Sequence, residues 1–597
     1  MFRRFRPAAG ILLLGLCLAA PAEAHANLIR SIPAAGATLD VAPAALVLEF
    51  TEDLDPAFTR IELLGSDGVT VLPGPGMIDP AQPTILRLPI AGLAKGSYSA
   101  AWRVRSAEDG HTLSGSLPFG IGIAADPTSL LPALGEPDPA KAWPDPLDAA
   151  IRWLSLVFVA LALGGLPFAL FVWRPAAAEA RRQELDIEAA DRAMLRLLRR
   201  TVLFGCAGLI AVQLGFLVQQ AALAAGHPLL HVEGHAVMAL LQGRFGHLWL
   251  LRIALTVCLA ALARGLSSAA GTDTRRWSLA LVVGAAMVLT ISLGGHGAAL
   301  ADGRGLAVAA DWLHMMAMVA WLGGLPPLWA AIAASRRNPQ HALPLQWLIP
   351  KYSAMAMLCV VLLAWTGILS YNRHVGQLNL LAATTYGRAL TVKLALFALL
   401  LALGAINFLS LSRRLRQTDD ALRARFGQTV AGEVVIGTLV LAAVGLMTAI
   451  APSRAAWQAQ AQSGGVERAT SGDVELTLRV APGLVGDNAL ALDVTDSRPA
   501  VSADGVQVLF RISAPGRADG PLQIEALAAP QSERADPSGA ASESIEPQRF
   551  QAHGNFFTSP GTWRVEAILR RQGMNDVRQL FTPDILREPD ATMPPGR

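Results

Sequence analysis

Histidine and aspartate side chains at two distant positions in the sequence offer a first candidate metal site. Residues 1–24 have the basic start, apolar stretch and small-residue end of a cleaved secretory signal. Cleavage after Ala24 leaves a chain that begins at His25, whose free amino group and imidazole can chelate one ion. Asp109 and His111 add a carboxylate and a second imidazole one residue apart, a spacing that lets both reach one ion from a turn. Two imidazoles, an amine and a carboxylate suit tetragonal Cu(II), with Zn(II) as the competing ion.

A second set of donors lies in an apolar segment far along the chain. Asp311, His314, Met315 and Met318 are spaced i, i+3, i+4 and i+7, so a helix places them in one stripe. Imidazole and thioether groups are donors for Cu(I), which is softer than Cu(II). His296 is close to this stripe in sequence, across one short connection, and could meet His314 in space. The alternative is that the methionines only fill the core, as methionine stripes usually do.

Composition limits the class of protein to which the chain belongs. The 597 residues are 53% hydrophobic and 16% charged, which predicts several membrane spans. The formal net charge of +3 is small, and the arginines lie in blocks between apolar runs, so we expect no nucleic-acid partner. After the leader, the cysteines are Cys206, Cys258 and Cys359, which form no Cys-x-x-Cys pair and predict neither a disulfide framework nor a redox motif.

The predicted fold has three folded regions. Short alternating segments broken by Gly and Pro predict an N-terminal Ig-like β-sandwich, and similar segments near the C-terminus predict a second, small β-sandwich. Between them we expect an eight-helix transmembrane α-bundle. The expected organisation is a signal peptide at 1–24, the first sandwich at 25–122, a Pro-rich linker at 123–148, the membrane domain at 149–452, a linker at 453–472 and the C-terminal domain at 473–597.

The distribution of positive charge predicts how the membrane domain is oriented. Its apolar runs each reach the roughly 20 residues that cross a bilayer; they lie near 151–173, 198–222, 247–265, 277–295, 308–334, 352–371, 389–411 and 430–450. The connections after odd-numbered runs carry eighteen Lys and Arg residues, against four in the connections after even-numbered runs. Because positively charged loops remain in the cytoplasm, both β-domains are expected on the outer side of a bacterial inner membrane.

Histidines of the membrane domain concentrate on the predicted outer side. Seven lie in outer connections or at outer helix ends: His227, His231, His235, His247, His296, His314 and His374. His341 alone lies on the inner side. An ionisable ring near the bilayer is costly without a function or a partner, which favours a metal path. The alternative is a simple preference of polar rings for headgroup depth.

The membrane domain also contains an internal repeat. Trp153 followed by 163–167 (LGGLP) recurs at the same spacing as Trp312 followed by 322–326 (LGGLP). The first and fifth helices are therefore predicted to be duplicates of each other. Each would begin one of two parallel four-helix halves, and the paired glycines allow close helix contact.

The N-terminal region resembles the CopC copper-resistance domain. The resemblance is carried by 46–50 (LVLEF) and 96–104 (GSYSAAWRV), followed by an Asp-Gly-His turn and Gly115. It implies a Cu(II) ion held by His25, Asp109 and His111. The turn is one residue longer than usual, which makes Glu108 the backup carboxylate. Met77 is the only methionine in this region, so we expect a single Cu(II) site and no methionine-rich Cu(I) site.

The membrane region resembles the CopD copper-resistance family. The residues that carry this resemblance are 312–314 (WLH), 321–325 (WLGGL) and 386–395 (YGRALTVKLA). The C-terminal region, with 481–488 (APGLVGDN) and 561–563 (GTW), looks like the small β-domain appended to such fusions. No catalytic role transfers from it.

Together the resemblances imply a copper-binding membrane protein that captures Cu(II) at the envelope side and passes copper to or across the inner membrane. The expected partners are copper ion, the bilayer and other periplasmic copper proteins. The sequence has no Walker A loop and no phosphorylated-aspartate motif, so we expect no enzyme activity and only passive, gradient-driven or partner-dependent transport. Two alternatives stay open: a b-type haem protein using His296 with His314 or His374, and a copper buffer or sensor without transport.

Overall fold

The computed structural model describes the two β-rich regions and the helical region between them. The described residues are 28–33, 37–65, 70–74, 76–107, 110, 112–123, 143–225, 228–266, 274–295, 298, 303–337, 343–376, 378, 380–411, 420–454, 465–471, 474–481, 483, 485–496, 506–514, 522–528, 548–559, 561–571 and 575–585.

The N-terminal region is a β-sandwich. Its strands are β1 (Leu28–Ile32), β2 (Thr38–Leu39), β3 (Ala45–Phe50), β4 (Arg60–Gly65), β5 (Thr70–Gly74), β6 (Met77–Asp79), β7 (Gln82–Pro89), β8 (Gly96–Arg105) and β9 (Thr112–Ile121). One sheet has the order β1-β3-β7-β6 and the other β2-β9-β8-β4-β5. Alternate side chains of β3 point into the core. There the rings of Phe50 and Trp102 pack edge to face, with their centroids 5.2 Å apart. The predicted sandwich is confirmed.

The membrane region consists of long apolar helices. They are α1 (Pro146–Pro167), α2 (Arg174–Arg182), α3 (Glu188–Ala225), α4 (Gly234–Gln242), α5 (Arg244–Arg264), α6 (Thr274–Ser292), α7 (Arg304–Leu322), α8 (Leu325–Arg337), α9 (Leu345–His374), α10 (Leu380–Ala383), α11 (Thr385–Ile406) and α12 (Asp420–Met447). Single π-helical segments, Phe168–Trp173 and Asn407–Leu411, follow α1 and α11.

Among the described residues, eight helical segments are long and apolar enough to cross a membrane. Spans 1 to 8 are Pro146–Arg182, Glu188–Ala225, Arg244–Arg264, Thr274–Ser292, Arg304–Arg337, Leu345–His374, Thr385–Leu409 and Arg423–Met447. The number of predicted spans is confirmed. We call the end of the bundle at which odd-numbered spans begin the proximal end, and the opposite end the distal end.

Spans 1 and 5 cross at equivalent glycines. A Cβ atom on Gly164 would overlap the backbone of Gly323, and a Cβ on Gly323 would overlap the carbonyl oxygen of Ala160. Gly164 and Gly323 hold the same position in the sequence repeat, so their contact places a pseudo-twofold axis between the two helices. The predicted close contact of the paired glycines is confirmed.

The fourth span of each half packs against the first span of the other half. The indole of Trp153 donates to the Thr438 carbonyl on span 8 at 3.2 Å, and the indole of Trp312 donates to the Ala285 carbonyl on span 4 at 2.9 Å. These tryptophans are the equivalent residues of the repeat. Spans 1–4 and 5–8 are therefore two parallel halves that exchange equivalent contacts; we call them the first and second halves.

A second repeat relates spans 3 and 7. Phe245 and Gly246 precede Arg252 as Tyr386 and Gly387 precede Lys393. Both glycines lie against the short helix before their span: a Cβ on either would overlap the backbone of α4 or α10. The pattern is short and lies in apolar sequence, so the structure was needed to recognise it.

Replacing Gly164 with alanine should separate spans 1 and 5. The added methyl group meets backbone that cannot rotate away, and such overpacking costs about 3 kcal/mol or more. We expect a lower unfolding temperature of the detergent-purified protein. Gly215→Ala on span 2 is the matched control, because a Cβ there meets nothing within 4 Å and alanine favours the helix. Equal unfolding temperatures for both variants would contradict this contact.

The C-terminal region forms one curved sheet. Its strands are β10 (Gly465–Ser471), β11 (Val474–Ala481), β12 (Gly486–Asp496), β13 (Val506–Ser513), β14 (Leu522–Ala528), β15 (Gln548–Phe557), β16 (Gly561–Thr562), β17 (Arg564–Arg571), β18 (Val577–Phe581) and β19 (Asp584–Ile585). The order of the main sheet is β10-β11-β12-β15-β14-β13-β17-β18. The backbone N–H of Thr582 donates to the Glu467 side chain at 2.8 Å, which joins the two edge strands. A second sandwich was expected here, and the structure shows a nearly closed, barrel-like sheet instead. Strand β14 pairs with both β13 and β15 and so joins all the strands of the main sheet into one.

Candidate functional site

The predicted Cu(II) ligands lie outside the described residues. His25, Asp109 and His111, with the backup Glu108, are not described, whereas the strands that lead to the turn are. Strand β8 ends at Arg105 and its neighbour β9 begins at Thr112, so residues 106–111 form one short connection.

Gly110 shapes this connection. Its backbone N–H donates to the Ser106 carbonyl at 3.1 Å, and its φ of +77° lies in the left-handed region that favours glycine. The Asp-Gly-His sequence therefore has a glycine where the backbone requires one. The assignment of the flanking residues as ligands remains a prediction.

His314 is the best-defined candidate ligand of the membrane domain. It lies on α7 ten residues after the proximal start of span 5, and its ring is half-buried. Its Nδ1 lies 2.8 Å from the Thr366 hydroxyl oxygen on span 6. Thr366 was not predicted as a functional residue, because nothing in its local sequence marks it.

The Thr366 contact favours one tautomer of His314. When the single hydroxyl hydrogen of Thr366 is donated to the Leu362 carbonyl, 2.6 Å away, the hydroxyl oxygen accepts from Nδ1–H of the neutral ring. That leaves Nε2 with a lone pair, and Nε2 has no hydrogen-bond partner among the residues that the structure describes. Donation of the second ring N–H to an oxygen is the usual arrangement of a metal-binding histidine.

Charged residues surround the His314 ring. Lys393 on span 7 interacts electrostatically with His314 and with Asp311, and Asp311 also interacts with Tyr386. The Asp311 carboxylate is exposed. Lys393, like Thr366, was not predicted. The Lys393 ammonium group disfavours a second cation at the ring, and its interaction with Asp311 offsets part of that charge.

The predicted stripe on span 5 becomes more buried along the helix. Asp311 is exposed, His314 is half-buried, and Met315 and Met318 are 9% and 8% exposed within the bundle core. Met318 lies one turn beyond His314, so its thioether and the free Nε2 lie on the same helix face. In the described part of the chain, no group of three His, Cys, Asp or Glu side chains is placed to hold a metal ion. A site here therefore depends on thioether sulfur together with His314.

The first half fills the equivalent position with a different set of side chains. Ser155 stands where the second half has His314, and it accepts from the Gln213 amide on span 2 at 3.5 Å. Arg252 stands where the second half has Lys393, and it donates to the Gln213 side-chain oxygen at 3.4 Å. This arrangement has no imidazole and no thioether.

Further hydrogen bonds fix the first half. Arg252 also donates to the hydroxyl and the carbonyl of Thr290, at 3.1 and 2.9 Å. At the proximal end, the buried Asp148 accepts from Arg152 at 2.7 Å and from Gln220 at 2.9 Å. Each buried charge thus has several partners, as a structural network requires.

The other histidines that the structure describes in the membrane domain do not converge on His314. His231, His235 and His247 are exposed, and His235 lies 2.9 Å from Glu233. His374 is half-buried at the end of α9, about eight residues or roughly 12 Å along the helix from Thr366. That difference in depth counts against His314 and His374 as axial ligands of one haem. The other candidate haem ligand, His296, lies outside the described residues, as do His227 and His341.

Comparisons with known proteins agree with this architecture. Residues 28–122 match the CopC domain, 143–306 match the N-terminal domain described as copper resistance protein D-like, and 346–447 match copper resistance protein D. The chain is 32% identical to copper resistance protein C of Pseudomonas syringae pv. tomato, over 18% of this chain and 88% of that protein. The chain belongs to the CopC–CopD copper-resistance family.

Longer relatives cover the CopD domain as well. Copper resistance protein D of Pseudomonas syringae pv. tomato is 26% identical over 52% of this chain and 97% of its own length. Copper transport protein CutJ of Bacillus subtilis (strain 168) is 28% identical over 81% of this chain and 84% of its own length. Copper-resistance domains of both kinds are thus fused in one multi-pass membrane protein, which confirms the two resemblances seen in the sequence.

Thr366 supplies a test of the CopD-domain site that does not touch a ligand. Thr366→Val keeps the shape of the side chain but removes the oxygen that fixes His314, and loss of such a supporting contact weakens metal binding by about 10–100-fold. We expect that loss in Cu(I) affinity, measured by competition with a chromogenic chelator. Thr366→Ser keeps the oxygen and should bind as the wild type does. Equal affinity of the Val variant and the wild type would show that Thr366 does not orient a ligand.

Proposed function

We propose that the CopC domain captures Cu(II) through His25, Asp109 and His111 outside the inner membrane, and that the CopD domain carries copper inward as Cu(I). The observation that supports the membrane step best is the contact between Nδ1 of His314 and the Thr366 hydroxyl. In the tautomer that this contact favours, Nδ1–H is held by Thr366 and Nε2 is available for a metal. Reduction of Cu(II) needs one electron from a donor outside this chain.

The path runs through the second half. That half has the imidazole, the two thioethers and Asp311, whereas the first half has Ser155 and the paired Arg252 at equivalent positions. Nitrogen and sulfur donors bind a soft cation such as Cu(I) more tightly than an arginine network does. The first half then acts as the scaffold against which the second half is packed.

The predicted ligands and the charge pattern support an inward direction of movement. Copper would first bind as Cu(II) to the hard donors of the CopC domain. It would then enter the bundle from the proximal end and reach the softer donors near His314. The excess of Lys and Arg at the distal connections is typical of the cytoplasmic side. We therefore infer import.

Total copper in cells that express the chain tests this proposal. Import predicts more copper per cell than in cells without the protein at equal external copper, measured by mass spectrometry of washed cells. Less copper would indicate export. An increase equal to the copper bound by the protein itself would indicate a buffer, so the amount of protein is measured in the same samples.

A further inference from the structure

A buried carboxylate lies in the second half, on a span that contributes none of the His314 site. Glu433 on span 8 is 6% exposed. Its Oε1 accepts from the Asn407 amide on span 7 at 2.6 Å, and the Asn407 side-chain oxygen lies 2.6 Å from the Thr429 hydroxyl. The three side chains form a short chain of hydrogen bonds between spans 7 and 8.

Glu433 has no cationic partner among the residues that the structure describes. Asn407 is its hydrogen-bond partner, and the titratable group that interacts with it electrostatically is Tyr352 on span 6. The Tyr352 hydroxyl is itself donated to the Trp321 carbonyl at 2.8 Å. A buried carboxylate without a cationic partner is unfavourable in its charged form, which favours uptake of a proton or another cation.

The first half has no carboxylate at the position equivalent to Glu433. Gly437 on span 8 lies against Leu322, as Gly284 on span 4 lies against Leu163. Counting four residues back from each glycine pairs Glu433 with Ala280. Ala280 is fully buried, so an apolar residue fills the equivalent position. If Glu433 had only a structural role, that role would be needed in the second half and not in the matching first half.

Each hydrogen-bond donor around Glu433 can find an acceptor in both protonation states of the carboxyl group. With an ionised carboxylate, the Asn407 amide N–H donates to Glu433 and Thr429 donates to the Asn407 oxygen. With a protonated carboxyl group, a rotation of the Asn407 amide lets Glu433 donate to the amide oxygen and the amide N–H donate to Thr429. Thr429 can then turn its hydrogen to the Phe426 carbonyl, 2.9 Å away. The network thus exchanges one proton without leaving an unsatisfied partner.

The position of Glu433 suits exchange with the distal side. It lies about ten residues, or roughly 15 Å along the helix, from the distal start of span 8. Asn407 begins a π-helical segment at the distal end of span 7, and such segments are frequent at functional sites.

We propose that Glu433 is a proton-binding site of the second half, which takes up a proton from the proximal side and releases it to the distal side as copper moves through the same half. A carboxyl oxygen is a hard donor, which favours a proton over Cu(I). The exchange would couple copper movement to the proton gradient in a chain without a nucleotide-binding motif. The coupling rests on the proposed copper passage, whereas proton binding does not.

Infrared difference spectroscopy of the full chain in liposomes tests proton binding. A proton on Glu433 gives a carbonyl stretch of a protonated carboxyl group at neutral pH, which shifts in deuterium oxide. Glu433→Gln should lose this band while keeping an acceptor for Asn407. Asp148→Asn, which changes a buried carboxylate paired with Arg152, should keep it. If no such band exists in the wild type, or if it persists in Glu433→Gln, proton binding at Glu433 is overturned.

Copper flux in the same liposomes tests the coupling. An imposed pH gradient, acidic on the proximal side, should increase the initial flux in the wild type and in Asp148→Asn but not in Glu433→Gln. A pH-gradient effect of equal size in Glu433→Gln would overturn the coupling. Absence of flux in the wild type would overturn the copper passage instead, and the infrared band would still decide whether Glu433 binds a proton. Unfolding temperatures of all three proteins control for misfolding.

Discussion

The double variant His25→Ala, His111→Ala is expected to lose tight Cu(II) binding. The substitutions remove both imidazoles from the site that is proposed for the CopC domain. Losing even one supporting contact of a ligand weakens a metal site by about 10–100-fold, so losing two ligands should weaken it by more than about 100-fold. Titration of the mature protein with Cu(II), followed by electron paramagnetic resonance, measures the effect. The nitrogen splitting of the wild-type spectrum should disappear in the variant.

The histidines of the membrane domain supply the control for that experiment. His231 and His235 are exposed, and the double variant His231→Ala, His235→Ala removes the same number of imidazoles. We expect it to bind one Cu(II) ion with the affinity and the spectrum of the wild type. If both double variants lose binding equally, or if neither does, the assignment of His25 and His111 is wrong.

His314→Ala is expected to remove the additional cellular copper that the wild type provides. The substitution deletes the free Nε2 and leaves the thioethers of Met315 and Met318 without their imidazole. Purified protein should bind one fewer Cu(I) ion, and cells should exceed cells without the protein only by the copper that the protein itself binds. Cu(II) binding by the CopC domain should be unchanged, because its ligands are in another domain.

The pseudo-twofold repeat provides a matched control for His314. Ser155 holds the equivalent position on span 1, so Ser155→Ala makes a similar change where the first half has no imidazole or thioether at the equivalent positions. We expect this variant to retain Cu(I) binding and copper accumulation. An equal loss in Ser155→Ala and His314→Ala would mean that the helix pair is required only for folding. Retention of both properties in His314→Ala would remove His314 from the path.

Much of the architecture could be predicted because it depends on local patterns. Period-two alternation in β3 predicted a strand with one buried face, and runs of about 20 apolar residues predicted the spans. The LGGLP repeat predicted that the paired glycines allow close helix contact, and the structure shows that Gly164 and Gly323 are the residues that meet. Closure of the C-terminal sheet was missed, because pairing between distant strands leaves no local signal.

The candidate site could be predicted only in part. His314 and the methionines have chemically distinctive side chains at helical spacing, so they were identified in the sequence. Thr366 and Lys393 act through contacts between spans, and a threonine or a lysine in an apolar helix does not show which neighbour it meets. Glu433 is a single carboxylate on span 8, and its meaning depends on Asn407 and on the comparison with Ala280, which both require the folded bundle.

Uptake of copper into sealed liposomes that contain the full mature chain in one orientation is the most direct test of copper passage. Copper is supplied on the side of the β-domains together with a reductant, and copper inside the vesicles is measured over time. The account predicts faster accumulation than in protein-free liposomes. Accumulation at the same rate in both, with the CopC domain fully loaded with copper, would contradict it.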